Sequence, residues 1–297
     1  MNKRLLINLM LLLVLGFAAC TSGKDNKETE TTNLEGNDYL ITIKTDLGEM
    51  KAILHDLTPL HKENFVKLAQ EGFYDSLLFH RIIQGFMIQG GDPDSKGAPA
   101  GVSLGRGGPG YLVDAEITPE LFHRKGALAA ARTGGPGNPD RKSSGSQFYI
   151  VQGTVLTPEQ AEINQVALSR AVGTLMRQYP QDTLTSTLRS AFNEGGQEGY
   201  IKECIEMKEE ITEKTGIGFI MPADQAEVYA SEGGTPQLDG EYTVFGQVIS
   251  GLDVLDRIAA VQTQPGDRPV EDVKMFISVE QVPRSEIASK YSYTDFQ

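Results

Sequence analysis

One charged side chain stands inside an apolar run near the middle of the N-terminal half. Arg81 follows Phe79 and His80 and precedes Ile82, in a segment whose apolar residues should face a core or the wall of a cleft. A guanidinium stays charged at any physiological pH and holds its donors in a planar fork. Apolar surroundings strengthen its electrostatic effect because they lower the local dielectric constant. Arg81 is therefore the first functional candidate, and a surface arginine in a salt bridge is the alternative.

The histidines are weaker candidates. His80, beside Arg81, suggests acid/base chemistry, but a packed and hydrogen-bonded histidine is the more common case. The other three, His55, His61 and His123, have no metal-ligand spacing with cysteines or carboxylates. We predict that the protein binds no metal.

Four segments, taken together, resemble the cyclophilin family of peptidyl-prolyl cis/trans isomerases. They are residues 79–92 (FHRIIQGFMIQGGD), 126–131 (GALAAA), 145–149 (GSQFY) and 238–246 (LDGEYTVFG). Their order is that of the family and their spacing is roughly so, and four ordered matches are hard to obtain by chance. The resemblance covers about residues 39–283, apart from one inserted block.

The resemblance implies a fold, a substrate and a site. The fold would be mainly β: an eight-stranded antiparallel barrel capped by two helices, residues 58–70 and 252–259. The substrate would be an Xaa-Pro bond in a groove on the outer face of the barrel, bound without a cofactor. The catalytic residues would be Arg81, Phe86 and Gln89, and the substrate-binding residues Met87, Ala131, Arg132, Gln147, Tyr149, Leu238 and Tyr242.

These residue types suit prolyl isomerisation. Rotation about Xaa-Pro is slow because amide resonance must be lost, with a barrier of about 18–20 kcal/mol. The catalyst breaks no bond, and it has only to bind the twisted amide better than either planar form. In the twisted state the proline nitrogen recovers its lone pair, to which the guanidinium of Arg81 could donate a hydrogen bond.

Several positions depart from the family pattern. Gln237 stands where cyclophilins often carry Trp, Tyr242 where they carry His, Arg132 where they carry Asn, and Tyr149 where they carry Phe. We expect activity to survive with an altered substrate preference. The departures also favour an alternative: a cyclophilin-like module that binds peptides or client chains, as a chaperone does, with little turnover.

Alternating apolar residues predict the strands that position these groups. Residues 39–45 and 50–54 flank a tight turn and form a hairpin. Thr58 followed by Pro59 begins an amphipathic helix. Further short strands are predicted at residues 78–83, 86–89, 126–131, 147–151, 242–249 and 273–279, separated by loops rich in Gly and Pro. The glycine-rich runs at 105–110 and 134–139 are interpreted as plain loops, the second beside the groove.

Residues 153–232 break the β pattern with helical signals. A capping box at Thr157 and Gln160 begins one helix, a second passes through Cys204 to Gly216, and a third follows Pro222. We predict a helical insertion packed on the barrel, with Cys204 in its core. It could bind unfolded clients or serve only for stability.

The N-terminus has the pattern of an export signal. Residues 1–19 contain a basic start, an apolar run and two alanines directly before Cys20, which resembles the lipobox of bacterial lipoproteins. A plain signal peptide or a membrane anchor is the alternative, and the apolar run is short for an anchor. We expect a signal peptide, a lipid on Cys20 and a disordered tether over residues 20–38.

Composition limits the partners. A net charge of −13 and a pI near 4.8 disfavour nucleic acid, because phosphate binding needs clustered Lys and Arg. We expect a lipoprotein of the cell envelope, periplasmic or at the surface, with Thr21 compatible with the outer membrane. Its partners would be proline-containing peptides or unfolded exported proteins. Residues 39–283 would form the cyclophilin-like domain around the insertion, and residues 284–297 a C-terminal tail.

Overall fold

The computed structural model describes residues 34–296, most of which form a closed set of antiparallel strands with helices around it. The predicted signal peptide, Cys20 and most of the predicted tether lie outside the described residues. The strands are β1 (Asn37–Thr45), β2 (Gly48–Leu54), β3 (Leu77–Leu78), β4 (Arg81–Ile83), β5 (Met87–Gly90), β6 (Leu112–Val113), β7 (Ala127–Ala130), β8 (Ser143–Ser144), β9 (Phe148–Val151), β10 (Val244–Ser250) and β11 (Lys274–Pro283).

The main sheet returns to its own starting point. Its strand order is β3-β11-β1-β2-β10-β7-β9-β5-β4, and all of its pairs are antiparallel. The two end strands, β3 and β4, are consecutive pieces of chain separated only by Phe79 and His80. Counted as one interrupted strand, they make eight antiparallel strands in a closed order, which confirms the predicted fold. Strands β6 and β8 form a separate two-stranded sheet that the sequence pattern did not reveal.

Eight α-helices are described in residues 34–296: α1 (Pro59–Gln70), α2 (Pro158–Ala161), α3 (Gln165–Gln178), α4 (Thr183–Glu206), α5 (Lys208–Thr215), α6 (Ala223–Ser231), α7 (Leu252–Ala259) and α8 (Arg284–Tyr291). The two predicted barrel helices are α1 and α7. Within that same part of the chain, no helix is both long and apolar enough to cross a membrane.

The barrel core follows from the alternation of side chains along each strand. Ile41 and Ile43 are fully buried because residues two apart share a face. Helix α1 adds Phe65, whose ring centroid lies 5.4 Å from those of both Phe148 and Phe245. These contacts fix helix α1 against strands β9 and β10. Along each strand, the residues that alternate with the buried ones face away from the core.

The insertion leaves and rejoins the barrel at one point. Gly153 has φ +64°, and a side chain there would place its Cβ 2.4 Å from the Cα of Gly234. The backbones of Thr154 and Gly234 exchange hydrogen bonds of 3.3 and 3.1 Å. Because the two ends meet, the insertion can be accommodated without separating the strands on either side of it.

The insertion has its own core, as predicted. Leu168, Leu175 and Ile211 are buried together with Cys204, which is a free thiol. The predicted capping box at the start of α2 is present. The sequence pattern did not reveal the first half of α4, which ends at a kink where Gly196 has φ +61°.

Two predicted boundaries differ from the structure. The tether was predicted to extend to residue 38, but β1 begins at Asn37, and Asp38 is buried between Lys62 (2.7 Å) and Arg284 (3.1 Å). The predicted tail after residue 283 begins as helix α8, with Arg284 at its first position. Both segments are polar in sequence and are ordered by the same buried ion pairs, which hydropathy does not detect.

A buried histidine makes the stability of this fold depend on pH. Burial, followed by the nearby charge of Lys62, lowers the pKa of His55 to about 4. The unfolded chain takes up this proton near pH 6.5, so it binds more protons than the native state between the two values. Stability should therefore fall as the pH is lowered through this window. The contribution of His55 is about 2 kcal/mol between pH 7.5 and pH 5.

Urea unfolding of the parent and His55→Leu at both pH values measures this contribution. Burial also lowers the pKa values of His61 and His80, so the variant keeps part of the slope. An equal loss of unfolding free energy in the two proteins would contradict the assignment to His55.

Candidate functional site

The predicted groove residues come together around one pocket. All of them except Gln147 line a cavity of about 140 Å³ on the barrel surface: Arg81, Phe86, Met87, Gln89, Ala131, Arg132, Tyr149, Leu238 and Tyr242. They come from four separate parts of the chain. Their convergence is the main property of the site.

Strand register brings three of them side by side. Arg81 on β4 lies opposite Gln89 on β5, and Gln89 lies opposite Tyr149 on β9. Directly opposed residues point to the same face of a sheet. Met87, two residues before Gln89, lies on that face as well, whereas the intervening Ile88 is fully buried in the core.

The guanidinium of Arg81 is held from one side. Its Nε donates to Oδ2 of Asp267 over 3.2 Å, and the backbone N–H of Ile82 donates to the carbonyl oxygen of Asp267 over 2.8 Å. Both ionic side chains are about 40% exposed (42% and 41%), so the pair adds little stability. The ion pair instead orients the guanidinium of Arg81. Within the described residues, the two terminal nitrogens of Arg81 make no ion pair. Residue spacing could not reveal Asp267 as the partner of Arg81, because the two lie 186 residues apart in the chain.

Gln147 lies just beyond the pocket, in a larger groove. Gln89 Nε2 donates to Gln147 Oε1 over 3.1 Å, and Gln147 Nε2 donates to the carbonyl oxygen of Gly107 over 2.7 Å. The groove has a volume of about 840 Å³ and shares Gln89, Ala131 and Arg132 with the pocket. The two cavities therefore form one continuous surface depression.

Both glycine-rich runs border this groove. Residues of the 105–110 run line it, and so do Gly137 and Asn138 of the second run. The first run is anchored by the fully buried Asp92, which accepts a hydrogen bond from the backbone of Gly105. The expectation for the second loop is confirmed, and the first loop proves to be a groove wall as well.

Aromatic rings close the other side of the pocket. The rings of Tyr149 and Tyr242 meet edge to face with centroids 5.9 Å apart. The guanidinium of Arg132 lies 4.5 Å from the centroid of Tyr242 and donates to the backbone carbonyl of Glu241 over 2.9 Å. Such a cation over a ring face stabilises both side chains. Tyr242 and Arg132, which stand where the family usually carries His and Asn, therefore stabilise each other.

A buried polar chain lies behind the Tyr149 wall. His123 Nε2 lies 2.9 Å from the Tyr149 hydroxyl, and His123 Nδ1 lies 2.9 Å from Oδ1 of Asp239. The hydroxyl of Tyr229, on insertion helix α6, donates to Oδ2 of Asp239 over 2.6 Å. We call these four residues the tyrosine–histidine chain. It connects the insertion to the pocket wall.

The proton positions in this chain follow from its acceptors. The Asp239 carboxylate can only accept, so Nδ1 of His123 donates to it, and the Tyr149 hydroxyl lies within hydrogen-bond distance of Nε2. Burial, then the neighbouring Tyr242 and Asp239, raises the pKa of Tyr149 well above its ordinary value, which keeps its hydroxyl protonated. Tyr149 is thus locked as a neutral wall residue.

The remaining histidine beside Arg81 takes no part in the pocket surface. His80 is packed and buried, as predicted, but within the described part of the chain neither ring nitrogen makes a hydrogen bond, which differs from the prediction. Burial lowers its pKa, which favours the neutral ring. Among residues 34–296, no group of three or more His, Cys, Asp or Glu side chains is arranged to hold a metal ion.

Comparison with known proteins gives consistent results. The family described as cyclophilin type peptidyl-prolyl cis-trans isomerase/CLD matches residues 40–168 and 207–279. A protein of Staphylococcus saprophyticus, provisionally named a peptidyl-prolyl cis-trans isomerase, is 31% identical over 243 residues, which are 82% of this chain and 91% of that protein. One of Streptococcus pyogenes, provisionally named a bifunctional phosphatase/peptidyl-prolyl cis-trans isomerase, is 34% identical over 236 residues, 78% of this chain but only 37% of that protein.

Among solved structures, a cyclophilin type peptidyl-prolyl cis-trans isomerase of Cryptosporidium parvum aligns with a TM-score of 0.48 and 22% identity, over 84% of this chain and 100% of that one. The break in the family match, residues 169–206, falls inside the insertion. All four motif segments lie within the matched residues. The chain therefore belongs to the family of cyclophilin-type peptidyl-prolyl cis-trans isomerases.

Proposed function

We propose that this protein catalyses the cis/trans isomerisation of Xaa-Pro bonds in exported proteins and so assists their folding. The observation that carries the proposal is the convergence of Arg81, Gln89 and the apolar pocket residues on one face of the barrel. Membership of the isomerase family supports the same chemistry.

The pocket offers each group that the reaction needs. Phe86, Met87 and Leu238 supply an apolar floor for the proline ring. Gln89, next in the groove, can bond the peptide backbone and hold the chain on one side of the rotating bond. With one half of the amide held, the other half can turn, and catalysis consists of binding the twisted state more tightly than the planar ones.

Arg81 supplies the electrostatic part. Its terminal nitrogens can donate to the proline nitrogen once the amide twists and the lone pair returns. This hydrogen bond has no counterpart in the planar amide, because the nitrogen lone pair is delocalised there. It therefore stabilises the twisted transition state and not the bound planar substrate, and so lowers the barrier. The ion pair of Nε with Asp267 presets the orientation of the guanidinium before substrate arrives.

The N-terminal sequence supports a site of action outside the cytoplasm. An export signal over residues 1–19 and a lipid on Cys20 would hold the barrel at a membrane of the cell envelope, at the periplasmic or outer surface. Newly exported chains fold there, and uncatalysed prolyl isomerisation takes about 10–100 s. An anchored isomerase would act on such chains as they emerge.

The test is the rate of cis/trans exchange in a short Ala-Pro peptide, followed by exchange NMR with catalytic amounts of folded protein. We expect exchange well above the buffer rate, and faster refolding of a protein limited by proline isomerisation. Buffer rates with two different Xaa-Pro peptides would reject the enzyme. Peptide binding without turnover, measured by titration, would then favour the binding module.

A further inference from the structure

One exposed face of the insertion is cationic. Arg170, Thr174 and Arg177 on α3 are spaced by four and three residues, so they lie on one side of the helix. The opposite side, which includes Leu168 and Leu175, is buried in the insertion core. Helix α3 contains no acidic residue. Its outward face therefore carries two positive charges and no negative charge from the helix itself.

This face forms one wall of an open cleft beside the proline pocket. The cleft has a volume of about 700 Å³ and is lined by Gln165, Ser169, Arg170, Thr174, Arg177 and Gln237, together with the apolar side chains of Val166 and Ile217. Gln237 directly precedes Leu238 of the pocket. The cleft and the pocket therefore lie on either side of a single segment of chain.

Arginines bridge the two cavities. The Glu241 carboxylate is shared by Arg132 of the pocket (3.1 Å), Arg141 (3.8 Å) and Arg170 of the cleft. Three guanidinium groups face one carboxylate, so the cluster has a net positive charge. Arg177 extends it along α3, and its one described side-chain hydrogen bond is to Thr174. We call Arg132, Arg141, Arg170 and Arg177 the arginine band.

The band is exceptional in this molecule. The whole chain has a net charge of −13, and residues 153–232 contain 13 acidic but only 6 basic side chains. Two of those 6 line the cleft. The arginine band is thus a positive surface beside the pocket and next to an otherwise acidic insertion. Such a surface fits an anionic part of the substrate.

We propose that the cleft extends the substrate groove and binds an Asp or Glu side chain of the same peptide whose proline fills the pocket. This rests on the proposed function and specifies its substrates. The planar guanidinium groups of Arg170 and Arg177 suit a carboxylate, which they can bind in bidentate fashion. The polar side chains of Gln165, Ser169 and Gln237 can bond an extended main chain. Because Gln237 of the cleft and Leu238 of the pocket are adjacent in the chain, the acidic residue should stand within a few positions of the proline.

The test compares two sets of Ala-Pro peptides. In one set Glu stands within a few residues of the proline, on either side, and in the other Gln replaces it. We measure Kd by titration and kcat/KM by exchange NMR, at low salt and at high salt. On at least one side of the proline, the Glu peptide should bind about fivefold more tightly at low salt, and salt should reduce the preference.

Arg170→Gln with Arg177→Gln should reduce the Glu/Gln ratio of Kd to near one. Arg177→Gln alone, which leaves the Glu241 cluster intact, should reduce it in part. Arg189→Gln with Lys208→Gln removes two exposed charges elsewhere on the insertion and should leave the ratio and the activity at parent values.

The outcomes separate the two proposals. Equal Kd values for the Glu and Gln peptides, or a preference that survives in the Arg170/Arg177 variant, would overturn the cleft assignment alone. Because Kd is measured directly, the cleft is tested even if turnover is absent. Absence of turnover on every peptide would reject the isomerase and leave the binding result standing.

Discussion

Arg81→Ala is expected to lower kcat/KM for an Ala-Pro peptide by about 100-fold, the usual loss when one preorganised donor to a transition state is removed. The fold should survive, because the side chain is 42% exposed and its ion pair with Asp267 is at the surface. Exchange NMR on parent and variant, both checked by circular dichroism, measures the loss. We expect most of it in kcat, since the bond to the proline nitrogen forms only in the twisted state.

Two further variants separate charge from orientation. Arg81→Lys keeps the charge but loses the planar fork, so it should recover only part of the activity. Asp267→Asn removes the ionic partner that orients Nε, and should lower kcat by a few-fold with little change in KM. Arg189→Ala, an exposed arginine on the insertion, is the matched control. Activity of Arg81→Ala within threefold of the parent would remove Arg81 from the mechanism.

Sequence could predict the pocket because its residues obey local rules. Arg81, Met87, Gln89 and Tyr149 occupy outward positions on short strands, and the alternation of each strand with its buried neighbours sets their direction. The family resemblance then supplied the pairing between strands. That long-range information is absent from the period of any single strand.

Partners that arrive from distant loops could not be predicted in the same way. Asp267 reaches Arg81 across 186 residues, and Asp239 reaches His123 across 116. Nothing in the spacing of these carboxylates distinguishes them from solvated ones. The arginine band was hidden for a similar reason, because Arg132 and Arg170 meet only through Glu241.

Some elements of the fold could likewise be predicted from the sequence, and others could not. Helix α1 was predicted from Thr58, Pro59 and the apolar spacing that follows, whereas helix α7 was predicted only from the family resemblance; both are present, although Thr58 makes no side-chain cap hydrogen bond. The pairing of β6 with β8, each two residues long, leaves no periodic signal. The start of β1 and the helix after residue 283 depend on the buried ion pairs of Asp38, which is the kind of polar order that hydropathy hides.

The insertion and the pocket are connected through Asp239, and its replacement should have the largest effect on stability. The carboxylate of Asp239 accepts from the backbone and the ring of His123 and from the hydroxyl of Tyr229. His123 and Tyr229 are fully buried, so Asp239→Ala leaves their donors without a partner. We expect a loss of about 3 kcal/mol in the free energy of unfolding, since bonds to charged groups are worth about 1.5–3 kcal/mol each.

Urea unfolding of the parent and the variant measures this loss, and two conservative variants show how it is transmitted. Tyr229→Phe removes only the hydroxyl that joins helix α6 to Asp239, and Tyr149→Phe removes only the hydroxyl at the pocket end. If the tyrosine–histidine chain acts as a unit, the double variant should lose less than the sum of the two single losses. Tyr229→Phe should also raise KM for the Ala-Pro peptide although Tyr229 lies outside the pocket, and this rise should disappear in the Tyr149→Phe background. Additive stability losses with an unchanged KM would mean that the insertion is only packed beside the pocket. A coupled result would instead make helix α6 part of the support of the substrate site.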